Sequence, residues 1–124
     1  MISFENFMMQ DGTPIYLQIL LYIKRGIVAG IILDGDELPS RRVLSALLGV
    51  NPNTVQKAYK MLEEEGVIQS RTGAKSYVAV TVNKLREIRE ELLEDDAKSA
   101  VNVLKMMGVS KEEAHALIEK YWEK

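Results

Sequence analysis

The chain has 124 residues, is 47% hydrophobic and carries a formal net charge of −2, which is enough for one ordinary core with a small appendage and reads as a soluble globular protein. It has no cysteine, so a disulfide framework, a zinc-thiolate centre and a cysteine nucleophile are excluded, as suits a reducing cytoplasm. The acidic sum does not exclude nucleic acid, because residues 38–83 hold six basic against three acidic side chains while both flanks are net acidic.

The first element is an apolar run from Ile15 to Leu33, interrupted by Gln18, Lys24 and Arg25 and bordered by Asp34. Ile15, Ile19, Ile23 and Ile27 recur every fourth residue, which predicts an amphipathic core helix and not a membrane span. No basic region precedes it, so a signal peptide is not expected. Ser40 is placed to cap a short helix whose stripe is Val43, Leu44, Leu47 and Leu48, and Gly49 with Val50 makes a turn. Asn51 and Pro52 then open a second helix. Its apolar face is Val55, Ala58, Tyr59 and Leu62, which leaves Asn53, Gln56, Lys57 and Lys60 on the other, within reach of base edges and phosphates.

After Glu63, Glu64 and Glu65, Gly66 can end this helix in a left-handed turn. The three acids have to point away from any phosphates or weaken binding. Residues 67–70 and 76–82 alternate as the strands of a hairpin whose tip carries Arg71 and Lys75. Helix, turn, helix and basic hairpin in that order predict a winged helix, with the hairpin against the backbone or minor groove.

From residue 84 the pattern is helical. Leu85, Ile88, Leu92, Ala100, Val103, Leu104 and Met107 trace one stripe along a helix, broken by Asp95-Asp96; Gly108-Val109 ends it, and Ser110 with Glu113 forms a capping box for a last helix bearing Leu117, Ile118, Tyr121 and Trp122. Two such helices cannot wrap a core of their own, so their apolar faces need the first domain or another chain. The expected fold is therefore α+β and mostly helical: a winged helix-turn-helix over residues 1–83 and a two-helix extension over residues 84–124.

Across residues 14–80 the segments Pro14-Ile15-Tyr16-Leu17-Gln18-Ile19, Leu38-Pro39-Ser40-Arg41-Arg42, Val50-Asn51-Pro52-Asn53-Thr54-Val55, Ala58-Tyr59, Leu62-Glu63 and Glu65-Gly66 resemble the DNA-binding domain of GntR-type bacterial transcription regulators. One departure is Gly73-Ala74-Lys75-Ser76, where the family carries Gly-Lys-Gly-Thr. Close backbone approach at position 75 loses its glycine, and Lys75 compensates by charge. The expected DNA-contacting set is Ser40, Arg41, Arg42, Asn51, Asn53, Thr54, Gln56, Lys57, Lys60, Arg71, Gly73 and Lys75, with Arg42 matching the arginine that the family sets against DNA. The resemblance is to the short YtrA-like members. It implies that the extension dimerises through Leu85, Ile88, Leu92, Val103, Leu104, Met107, Leu117, Ile118, Tyr121 and Trp122.

The partners so implied are double-stranded DNA and a second copy of the chain. The resemblance also implies a cytoplasmic repressor that controls transporter genes from a two-fold operator, with any small-molecule effector acting beside the dimer contact. Enzyme, cofactor, metal and membrane roles are not expected. There is no phosphate loop, Gly-x-Ser-x-Gly elbow or His-Glu-x-x-His motif, and His115 lies among Glu112, Glu113 and Glu119 as a solvated residue. The alternative is a winged-helix module that binds protein without specific DNA contact.

Overall fold

Among the residues that the computed structural model describes, 1–71 and 75–124, the order of elements is α1 (Ile15–Val28), β1 (Glu37–Leu38), α2 (Arg41–Leu48), α3 (Pro52–Glu64), β2 (Ile68–Arg71), β3 (Lys75–Val78), α4 (Val82–Met106) and α5 (Lys111–Trp122). They form two compact units, Met1–Arg89 and Glu90–Lys124. The mostly helical chain with one small antiparallel sheet is the expected winged helix.

In the first unit α1 packs on α3. Ile19, Ile23 and Ile27 enter the core as their spacing requires, together with Val55, Ala58, Tyr59 and Leu62. Each such aliphatic side chain stabilises the fold by about 1.5–3 kcal/mol. The sheet has the order β1-β3-β2, with Leu38 opposite Ser76 and Ile68 opposite Val78. The two-residue strand β1 has no pattern of its own and exists because β3 offers it a ladder. Residues 1–14 lie along α1, held by the Gln18 side chain, which accepts from the Gln10 amide and donates to the Gln10 and Thr13 carbonyls.

Two expectations change. In α2 only Leu44 of the four-residue stripe is fully buried; Leu48 is half-buried, while Val43 and Leu47 stay 56% and 64% exposed. An eight-residue helix resting on α3 can turn only a narrow strip inward, and the small Ser45 takes the neighbouring buried place. The second hairpin strand stops at Val78 and does not reach residue 82, because the Thr81 hydroxyl accepts from the Lys84 amide and starts α4. The helix α4 then runs unbroken past Asp95 and Asp96 to Met106. In the second unit Gly108 adopts a φ of 74°, and Ser110 caps α5 by accepting from the Glu113 amide at 3.1 Å. No residue of α5 is buried.

The buried charge of the first unit is Lys24, whose ammonium meets the Glu65 carboxylate at 2.8 Å. Its stem crosses the apolar α1 surface, and its charge needs that partner. Glu65→Ala is expected to cost about 1–3 kcal/mol in urea unfolding, less than for a fully enclosed pair because the carboxylate also meets water. Lys24→Met, which removes the charge that needs a partner, should cost less in the same measurement.

Candidate nucleic-acid interface

The joint between α2 and α3 is built from local signals. Ser40 accepts from the Val43 amide at 3.1 Å and Asn51 from the Asn53 amide at 2.8 Å, so both helices start where their caps dictate. Between them Gly49 takes a φ of 68°, a left-handed turn that costs a residue with a Cβ about 1–2 kcal/mol. Tyr59, fully buried on α3, ties that helix to the segment before α2 by donating its hydroxyl to the Pro39 carbonyl oxygen at 2.6 Å. Burial pushes the Tyr59 phenol well above its ordinary range, and the nearby Arg41 charge only partly offsets this, so the hydroxyl remains a donor.

The tandem arginines part company at this joint. Arg41 turns back, with its guanidinium 5.1 Å from the centre of the Tyr59 ring and its Nε buried without a hydrogen-bond partner among the described residues. Arg42 is exposed. Asn53, Gln56, Lys57 and Lys60 project from the open face of α3, Thr54 is half-buried, and the side-chain oxygen of Asn51 is occupied in its cap.

The hairpin adds a second cationic surface. Alternation sends Ile68, Ser76 and Val78 to the core and Gln69, Arg71, Lys75 and Tyr77 to the other face, where Arg71 stands directly opposite Lys75. Like charges so placed repel, and an anionic partner relieves the repulsion. Gly73 lies outside the described residues.

The acids at the end of α3 are drawn aside. Glu63 accepts from the Ser70 hydroxyl at 3.1 Å and Glu65 pairs with Lys24, so two of the three carboxylates are engaged by neighbouring elements.

Two tyrosines that the hydrophobic pattern did not single out, Tyr16 and Tyr77, also meet cations of this surface. Besides Tyr59 under Arg41, Tyr16 of α1 lies under the Lys57 ammonium at 4.0 Å, and Tyr77 lies under the Arg71 guanidinium at 4.6 Å. Tyr16 and Lys57 are distant in sequence, so no local spacing reveals the pair.

The residues expected at a dimer contact divide by exposure. Ile88 and Leu92 are buried in the single chain, at 5% and 8% exposure. Leu85 and Leu104 are half-buried, whereas Val103, Met107, Leu117, Ile118, Tyr121 and Trp122 are exposed. Within the second unit a groove of about 460 Å³ runs past Ala97, Ala100, Leu104, Ala114 and Ile118. Among the described residues no helix is long and apolar enough to cross a membrane.

The family model described as bacterial regulatory proteins, gntR family, matches residues 15–78. The HTH-type transcriptional repressor YtrA of Bacillus subtilis (strain 168) is 36% identical over 111 residues, which cover 89% of this chain and 85% of that protein. A GntR family transcriptional regulator from Listeria monocytogenes superposes with a TM-score of 0.78 at 32% identity, covering 90% of this chain and 98% of that one. The DNA-binding domain of AraR, solved in complex with operator ORX1, superposes with a TM-score of 0.52 at 28% identity, covering 58% of this chain and 93% of that one.

Loss of the Tyr59 hydroxyl leaves a buried carbonyl without its donor. Tyr59→Phe is expected to destabilise the first unit by about 1–2 kcal/mol, read as a lower midpoint in thermal or urea unfolding with the helical signal of the folded state unchanged.

Proposed function

The chain belongs to the GntR family of bacterial regulatory proteins, and on that premise we propose that it is a sequence-specific DNA-binding repressor acting as a homodimer on a two-fold operator. The observation that carries this is the division of α3: four fully buried residues fix one face, and Asn53, Gln56, Lys57 and Lys60 occupy the other, while the hairpin carries the opposed and exposed Arg71 and Lys75. Amides and cations in that arrangement suit base edges and phosphates in the major groove, and the hairpin suits the adjacent backbone. The operator complex of the AraR domain supports the DNA partner. The repressor function of the B. subtilis relative supports the direction of control.

The dimer rests on the second unit. Trp122 is 80% exposed and Tyr121 59%, and a short helix pair showing that much apolar surface is better covered by a copy of itself. Duplication also answers the small footprint of one helix-turn-helix, since two motifs about one DNA turn apart read two half-sites. Transporter genes are the targets that the family resemblance suggests, and the cytoplasm is where such a regulator meets them. A small-molecule effector, if the protein has one, acts beside the dimer contact by favouring one spacing of the recognition helices.

Arg42→Ala is expected to weaken operator binding by about 1–3 kcal/mol without moving the unfolding midpoint. In the same titrations Lys57, Lys60, Arg71 and Lys75 of both chains together give a log-log salt slope on the order of −7, flattened by Lys75→Gln. A salt-insensitive complex would favour a protein-binding module instead. In sedimentation equilibrium the intact chain should be a dimer at micromolar concentration, and Trp122→Glu should shift it toward monomer; a monomeric parent that still binds operator tightly overturns the dimer.

A further inference from the structure

We propose that Tyr16 and Tyr77 are positioning residues of the DNA interface, each holding one phosphate-directed cation on its ring: Lys57 on Tyr16 and Arg71 on Tyr77. The proposal rests on the DNA-binding function argued above and deepens it. The Lys57 ammonium lies 4.0 Å from the centre of the Tyr16 ring and the Arg71 guanidinium 4.6 Å from that of Tyr77. Both rings are half-buried and both cations exposed, so in each pair the platform is anchored and the charge is free to meet solvent. Each pair also joins two elements, α3 to α1 and β2 to β3. Lys120 over Tyr121, at 5.3 Å, joins only sequence neighbours on α5.

The chemistry explains why a ring serves here and a carboxylate does not. Neither Lys57 nor Arg71 has an ion-pair partner among the described residues. A carboxylate would order the cation but cancel its charge and compete with the phosphate. A tyrosine ring carries no net charge; its electron-rich face attracts the cation while the N–H donors on the far side stay open. A long basic side chain loses rotamer freedom when it settles on a phosphate, and ordering it beforehand lowers that cost of binding. The same surface keeps Glu63 and Glu65 engaged elsewhere, on Ser70 and Lys24. Both devices leave the cations uncancelled.

The test is a pair of double-mutant cycles on the full chain, read by fluorescence anisotropy on a labelled random-sequence duplex at several KCl concentrations, because phosphate contacts do not depend on sequence. Lys57→Gln should weaken binding and flatten the salt slope by about 0.9 per chain. Tyr16→Leu should weaken binding about two- to fivefold when Lys57 is present and not at all in the Lys57→Gln background, and Tyr16→Phe should restore what Tyr16→Leu loses. The cycle of Tyr77→Leu with Arg71→Gln should show the same coupling, and it decides the matter if circular dichroism finds Tyr16→Leu unfolded.

If Lys57→Gln and Arg71→Gln change neither affinity nor slope, these cations do not meet phosphate, and the DNA-binding function assigned to this face falls together with the proposal. If they do weaken binding but the ring and cation effects add without coupling, the positioning role alone is overturned. Tighter binding by Tyr16→Leu would also overturn it, since the ring would then be withholding Lys57 from DNA.

Discussion

The direction in which α3 presents its polar face is set by the burial of Val55, Ala58, Tyr59 and Leu62, and the hydroxyl of Tyr59 ties that buried face to the carbonyl of Pro39 twenty residues earlier. A phenol enclosed in an apolar core must find an acceptor or lose about 1–3 kcal/mol, so the bond adds a directional tie to the packing of that face. Pro39 immediately precedes the cap of α2, and Arg41 lies over the same ring. One side chain therefore links the segment that leads into α2, the buried face of α3 and the inward-turned Arg41. At the C-terminal end of α3, Glu65 is tied to Lys24 of α1. A helix held at two points along its length is suited to reading base edges, since a hydrogen bond weakens steeply within a few tenths of an ångström or a few tens of degrees.

Electrostatics on this surface is arranged by position and not by sum. The chain is net acidic, yet two of the three carboxylates at the end of α3 are engaged by partners in β2 and α1, and Lys57 and Arg71 rest on uncharged rings. The opposition of Arg71 and Lys75 belongs to the same logic: it costs stability in the free protein and is repaid only by an anion.

The second unit follows a different rule. Its helices are secured by local devices, a left-handed Gly108 and the Ser110 cap, and α5 buries nothing. Local signals define where a helix begins and ends, but helices this short draw most of their stability from packing of an apolar face. The exposed aromatic end of α5 is thus the natural counterpart of the proposed homodimer, in which each chain supplies the cover that the other lacks.

How much of this was legible in the sequence follows from the range of the interactions. Caps at Ser40, Asn51 and Ser110, the turns at Gly49 and Gly66 and the faces of α1 and α3 were all readable, because each depends on backbone groups within one turn or on a period set by the backbone. The candidate DNA surface was readable for the same reason: once Val55, Ala58, Tyr59 and Leu62 go inward, helical geometry sends Gln56, Lys57 and Lys60 outward. The sequence by itself thus determined the order of the helices and the hairpin, the inward and outward faces of the recognition helix and the family. Only the tertiary structure decided that β1 pairs with β3, that Val43 and Leu47 stay outside while Ile88 and Leu92 are covered, that Lys24 finds Glu65 across 41 residues, and that Lys57 settles on Tyr16. Each of these joins groups that meet only after the chain has closed long loops, and no local spacing encodes which of many apolar or charged side chains will be there when it does.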